Sequence, residues 1–254
     1  MSLKFLLEPL TRVAREAGVA ILRVYSTDFD VRRKADRSPV TDADMEAEEI
    51  IIAALSALTP DIPIVSEEAA SESAAPAIGQ RFWLVDPVDG TREFVRRNGE
   101  FTVNIALVHD RRPVLGVIYA PALGRLYAGS VEDGAFAESG GQRRPLACRR
   151  PSAQGLAVVT SRSHQEPASW RTLLGARKVT SHSTAGSSLK FGMIASGDAD
   201  AYPRSGRTWE WDTAAGQAIV SAAGGRVTDA EGAELRYGKA SFVNPAFVAY
   251  GLVD

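Results

Sequence analysis

Apolar residues return at helical spacing from the start of the chain. Leu3, Leu6, Leu7, Leu10, Val13, Ala14, Ala17, Ile21 and Leu22 share one face of a helix that the pattern carries to about Tyr25. A second helix follows within "RKADRSPVTDADMEAEEIIIAALSAL", with Thr41 as N-cap, Asp42 and Asp44 at its positive end, and Pro60 to close it. The period then changes. "IPIVSEE" and "FWLVD" read as short buried strands, each ending on acids. In "EFTVNIALV", Phe101, Val103, Ile105 and Leu107 alternate against Thr102, Asn104, Ala106 and Val108, which is a strand pattern. "RPVLGVIYAPALGRLYAGS" gives two more strands around a Pro/Gly turn, and "GAFAES" another. The first half is therefore expected to be two helices followed by a mostly antiparallel sheet.

Residues 140–155, "GGQRRPLACRRPSAQG", are rich in Arg, Gly and Pro and mark a domain junction, giving an N-terminal α+β domain over 1–145 and a C-terminal α/β domain over 146–254. Beyond it, strands ("LAVVTSR", "ARKVTSHS", "ADAYP") alternate with helices ("SSLKFGMIAS", "WDTAAGQAIVSAAG"). The expected architecture is layered α/β, with loops from both halves facing one cleft.

Composition changes this picture little. A hydrophobic fraction of 45% and a charged fraction of 24% are those of a globular protein with a proper core. A formal net charge of −2 gives no global attraction to nucleic acid or anionic membrane, and the arginine pairs at 32, 96, 111, 143 and 149 are scattered rather than clustered. The N-terminal apolar pattern is interrupted by charge within a few residues, as in an amphipathic helix and unlike a signal peptide or membrane span. A single cysteine, Cys148, forms no internal disulfide and suits a reducing compartment, so a cytoplasmic location is expected.

The chemistry concentrates in "WLVDPVDGTREF", residues 83–94, where an apolar run meets two carboxylates. Pro87 fixes its own φ and holds Asp86 extended, Gly90 permits a turn, and Thr91 can cap a short helix over "REFVRR". That geometry aims Asp86, Asp89 and the Val88 carbonyl at one point, where two anions need a cation between them. Oxygen ligands with no His or Cys nearby favour a hard ion, Mg²⁺ first. Taken alone, the two acids fit a plain turn equally well. A D-x-D-G-T phospho-aspartate motif does not fit, because Pro87 stands where its nucleophile is needed. Glu67 and Glu68 end the preceding strand, and Glu210 and Asp212 begin a helix in "TWEWDTAAGQAIVSAAGG"; each has a bland alternative as a solvated acid or a helix N-terminal acid. His109 in a strand-end turn, His164 and His182 in polar loop contexts, and Cys148 carry no catalytic pattern.

Together "SPVTDAD", "VSEE", "WLVDPVDGTREFVRRNGEFTVNIALV", "GSSLKFGMIASGDADAYPR" and "TWEWDTAAGQAIVSAAGG", in this order, resemble the inositol monophosphatase superfamily over nearly the whole chain. Within it they look most like the bacterial 3'(2'),5'-bisphosphate nucleotidases of the CysQ type. The resemblance implies a five-layered αβαβα sandwich of the inositol monophosphatase and fructose-1,6-bisphosphatase kind. It also implies a Li⁺-sensitive phosphomonoesterase using Mg²⁺, roughly two or three ions per site. By motif it implies Glu67, Asp86, the Val88 carbonyl, Asp89 and Asp212 as metal ligands, Thr91 with Glu67 orienting the attacking water, and Asp44 supporting that water or a further metal. Asp89, Asp212 and the Gly90 and Thr91 amides would hold the phosphate, and in-line attack by water would release it without a covalent intermediate. A homodimer is expected from the resemblance only.

Three segments favour a nucleotide over an inositol or sugar phosphate by the same resemblance: "REFVRRNGEFTVNIAL", the "GSSLKF" loop with Gly186, Ser187 and Lys190, and the Glu before Trp-Asp in "EWDTAAG". Lys190, Arg204 and Arg207 are candidate cations for a second phosphate or else solvated bases. Trp209 and Tyr202 are candidate base-stacking residues or else core. The expected substrate is adenosine 3',5'-bisphosphate, giving AMP and phosphate; a catalytically silent phosphometabolite-binding module is the alternative from another class.

Overall fold

The computed structural model describes residues 4–33, 39–72, 77–163 and 169–253, so Leu3, residues 34–38 and His164 lie outside the described residues. The first helix, α1 (Lys4–Tyr25), matches its apolar stripe. A short hairpin, β1 (Arg32–Arg33) with β2 (Pro39–Val40), leads to α2 (Asp42–Leu58), where Thr41 is the N-cap and Thr59 the C-cap. There follow β3 (Ile64–Ser66), α3 (Glu67–Glu72), β4 (Arg81–Asp89), α4 (Thr91–Val95), β5 (Thr102–His109), β6 (Arg112–Ala120), β7 (Arg125–Ser130), β8 (Gly134–Ser139) and β9 (Gln142–Leu146). Strands β3 to β9 form a seven-stranded sheet in sequence order, antiparallel except for the β3–β4 pair.

The second half supplies β10 (Leu156–Ser161), α5 (Ser169–Leu173), β11 (Val179–Ala185), α6 (Leu189–Ala195), β12 (Ala201–Arg204), β13 (Thr208–Trp209), α7 (Glu210–Ala222), β14 (Arg226–Asp229), β15 (Val243–Asn244) and β16 (Phe247–Tyr250). Its five-stranded sheet runs β11-β10-β12-β16-β14, parallel around β10 and antiparallel around β16.

Three apolar clusters define the layers. Leu10, Ala17, Ile21, Ile51 and Leu55 of α1 and α2 pack on the face of the large sheet carrying Trp83, Val103, Ile105 and Val117. The opposite face, with Phe82, Leu84, Ala106 and Ile118, joins α6, α7 and the inner face of the small sheet through Phe191, Ala215, Ile219, Tyr202 and Phe247. Trp170 and Leu174 cover the outer face of the small sheet at Val158, Ala201 and Val248. The order is helix, sheet, helix, sheet, helix. Both faces of β5 are buried, because helices cover the large sheet on both sides.

Several local expectations change. Glu67 and Glu68 open α3 rather than end a strand, since a short helix satisfies the backbone directly after β3. β4 continues through Pro87 to Asp89. The helix after it stops at Val95, and its N-cap is Gly90, with Thr91 as the first helical residue. Gly90 takes φ 87°, which a non-glycine residue reaches only with strain, and so makes the turn that Thr91 cannot cap. β9, β14 and β16 extend the sheets beyond the strands expected from the pattern. His182 lies in β11, an edge strand, and stacks on Trp170 with ring centres 5.2 Å apart.

Candidate active site

The register between β4 and β5 creates the site. Asp86 faces Asn104 and Asp89 faces Thr102, so three steps along β4 match two along β5. That extra residue is a β-bulge at Pro87-Val88, and it resets the alternation of side chains. Asp86 and Asp89, on opposite sides of a regular strand, thus line one cavity of about 230 Å³. The Val88 amide donates to Asp86 Oδ1 at 3.1 Å and fixes that side chain, while the Val88 carbonyl accepts the Thr91 hydroxyl at 3.3 Å.

Parallel pairing sets Ser66 beside Val85, so Glu67, the next residue, arrives beside Asp86. Asp212 comes from the first turn of α7, its Oδ2 accepting the Trp209 amide at 2.8 Å. Carboxylate oxygens of Glu67, Asp86 and Asp212 lie within 4.8 Å of one another. Burial, then repulsion from Asp89 and Glu67, pushes the Asp212 carboxyl well above the usual carboxylate range. The Arg204 charge offsets this only in part, and the cluster's all-oxygen donors suit a hard divalent cation.

Asp89 lines the cavity but stands outside that converging group. Its Oδ2 accepts the hydroxyls of Ser187 at 2.7 Å and Ser188 at 2.8 Å, and the Asn104 amide at 3.4 Å. The serines of the loop before α6 hold the Asp89 carboxylate, while it shares the cavity with Asp86. Ser188 also donates to the Asp212 carbonyl at 2.8 Å, so the loop ties the bulge to α7. Ser187 holds a left-handed backbone, φ 51°. The Gly186 amide is taken by Glu100 Oε2 at 2.7 Å. Asp44 is buried and serves the α2 capping box, accepting the Thr41 amide and hydroxyl, each at 2.8 Å; it does not line the cavity.

Lys190, Arg204, Arg207 and Arg92 bring positive charge to the cavity. Lys190 is 3% exposed and turns inward, donating to the Ala185 carbonyl at 3.2 Å and to the Ser187 carbonyl. Burial lowers its pKa to about 8, against the pull of Asp89. Arg204 is 8% exposed, and its buried Nε meets no hydrogen-bond acceptor among the described residues. Tyr202, packed edge-on against Phe191 and Phe247, has no free face for a base. Glu210 is fully buried and holds the following loop, accepting the Gly238 and Lys239 amides at 2.6 and 3.0 Å. Cys148 is buried, which pushes its thiol up to about 11 and keeps it unreactive.

Asn104 and Ser188 escape a motif-based reading of the site. A signal existed for Asn104, a lone amide in a strand whose other positions are almost all apolar and whose burial requires a partner.

The chain matches the family model described as the inositol monophosphatase family over residues 2–251. It is 47% identical to the 3'(2'),5'-bisphosphate nucleotidase CysQ of Salmonella typhimurium, across 95% of this chain and 98% of that protein. It is 46% identical to the protein of the same name from Escherichia coli strain K12, with the same coverage. Among solved structures it resembles CysQ from Bacteroides thetaiotaomicron, with a TM-score of 0.79, 37% identity and 97% of each chain covered. The extragenic suppressor protein suhB from Bartonella henselae gives a TM-score of 0.78 at 27% identity, over 96% of this chain and 93% of that one. With the carboxylate cluster at the bulge and these matches along almost its full length, the chain belongs to the inositol monophosphatase family.

Proposed function

We propose that the protein is a Mg²⁺-dependent phosphomonoesterase that removes the 3'-phosphate of adenosine 3',5'-bisphosphate, giving AMP and phosphate. The observation that carries this reading is the split of one cavity into an acidic wall (Glu67, Asp86, Asp212) and a basic wall (Lys190, Arg204). A substrate with two phosphates uses both walls, one phosphate on each; an inositol monophosphate brings no second phosphate to the Arg204 guanidinium. The names of the relatives at 46–47% identity support the same substrate.

Glu67, Asp86, Asp212, Asp89 and the Val88 carbonyl would hold Mg²⁺. Bound there, Mg²⁺ supplies positive charge to the phosphate oxygens and makes water more acidic. The protein's own groups do the rest. The Thr91 hydroxyl and the Glu67 carboxylate orient the water for in-line attack. The Gly90 and Thr91 amides receive the phosphate, and the Arg204 guanidinium takes the other one. Asp44 supports the region through the cap of α2 rather than by touching substrate.

The test is ³¹P NMR of adenosine 3',5'-bisphosphate incubated with the protein and Mg²⁺. Loss of the 3'-phosphate resonance with retention of the 5' one, stopped by a chelator, is the expected result. Release of the 5'-phosphate, or turnover unaffected by the chelator, refutes the assignment.

A further inference from the structure

A column of planar groups runs from the core to the rim of the cavity. Phe242 and Trp211 are buried, at 8% and 5% exposure, with ring centres 6.2 Å apart. Trp209 lies nearly parallel to Trp211, at 5.2 Å and 12°. The Arg207 guanidinium sits over the Trp209 ring, 4.3 Å from its centre, and both residues line the cavity. Arg207 makes no ion pair among the described residues, and its carbonyl accepts Arg204 Nη2 at 3.4 Å. An exposed arginine with no carboxylate is normally mobile; here an indole backed by a second indole gives the guanidinium a seat.

A nucleotide whose phosphates occupy the acidic and basic walls still has a purine to cover. The other aromatic rings lining the cavity, Phe191 and Tyr202, are 1% and 5% exposed and packed edge-on against each other, so neither offers a face. The Trp209 ring is already occupied by Arg207 and Trp211. The planar surfaces that remain are guanidinium groups, and among the described arginines lining the cavity only Arg207 is seated on an aromatic ring.

We infer that Arg207 is the specificity-determining residue for the base: the purine stacks on its guanidinium, with Trp209 and Trp211 as the backing. Arg207 is thereby a planar platform and not a phosphate ligand. This rests on the nucleotide reading above. Stacking between a base and a planar side chain tolerates any base, so the site selects for the presence of a base more than for its identity.

The experiment compares Arg207→Ala and Arg207→Lys with the unaltered protein in Mg²⁺. The substrates are adenosine 3',5'-bisphosphate and the base-free analogue methyl riboside 3,5-bisphosphate, and binding of AMP and ribose 5-phosphate is measured by calorimetry. In both variants the preference for nucleotide over base-free analogue is expected to fall about tenfold, mostly in KM, with AMP binding weakened in parallel. Lysine keeps the charge and loses the plane, so it does not rescue. Rescue by Arg207→Lys, or equal losses on both substrates, overturns the platform and makes Arg207 a phosphate contact. An unaltered preference in both variants overturns it as well. Unaltered protein that neither binds nor hydrolyses the nucleotide overturns the proposed function, and this inference with it.

Discussion

Asp212 bears the electrostatic load of the cavity. Burial, Asp89 and Glu67 all raise its pKa, so in the metal-free protein the neutral carboxylic acid is favoured. A carboxyl raised above its unfolded value contributes stability at low pH and loses it as pH climbs through the raised pKa. Metal-free protein is therefore expected to lose thermal stability as pH rises past the ordinary carboxylate range, and Mg²⁺ to cancel that loss while releasing protons. Calorimetry in buffers of different ionisation enthalpy reads the protons; Mg²⁺ binding without proton release contradicts the account. Asp89→Asn removes one source of repulsion. It is expected to abolish Mg²⁺-dependent turnover, with an unchanged circular dichroism spectrum and a metal-free melting temperature no lower than that of the unaltered protein. An active, folded Asp89→Asn protein removes Asp89 from the mechanism.

Lys190 titrates in the opposite sense. Its pKa of about 8 lies below the usual lysine value of 10.5, so the ammonium is neutralised as pH passes about 8, and KM for the bisphosphate is expected to rise above that point. Between the two values the folded chain holds fewer protons than the unfolded chain, so this group adds stability as pH rises. A guanidinium keeps its proton across this range, so in Lys190→Arg the rise in KM is expected to disappear. A KM for the unaltered protein that stays flat from pH 7 to pH 9 rules Lys190 out of phosphate binding.

At the scale of elements, the sequence is most legible where one physical rule acts alone. The apolar stripe of α1 and the Thr41 cap of α2 are local, and their boundaries follow from the chain. The bulge in β4 is not local: it exists because Pro87 withholds an amide and β5 sets the register, and a motif cannot say which way Asp89 then turns. Glu210 shows the same limit. Beside Asp212 it reads as a site acid, yet it is buried beneath the 238–239 amides and fixes a loop. The approach of α7 to the large sheet depends on Gly116 in β6, where an added Cβ would stand 2.4 Å from the Ala215 carbonyl oxygen. Gly116→Ala is expected to lower stability by about 1–3 kcal/mol, read as a shift in the urea midpoint. Because α7 carries Asp212, Mg²⁺ affinity should fall with it. An unshifted midpoint means the helix moves away at no cost.

The whole molecule brings together carboxylates from separate layers: Glu67 and Asp86 from the large sheet and its edge, Asp212 from the helix between the sheets. The motifs made the family and the acidic residues legible. The layer order was expected from the resemblance, and the clusters supply its physical cause in two sheets with apolar faces to cover. What the chain could not announce is the division of labour inside the cavity, where Ser187 and Ser188 hold Asp89, Lys190 turns to backbone carbonyls, and the Arg204 Nε–H meets no acceptor among the described residues. Those assignments depend on packing between halves of the chain that meet only after folding.

On the proposed function, the two walls of the cavity select a substrate with two phosphates. The direct measurement is kcat/KM in Mg²⁺ for adenosine 3',5'-bisphosphate against inositol 1-phosphate. A buried cation that finds its partner in one substrate and not the other contributes about 1.5–3 kcal/mol, so the nucleotide is expected to win by at least tenfold. Equal rates, or a preference for the inositol ester, contradict the account and leave Arg204 without a role in substrate choice.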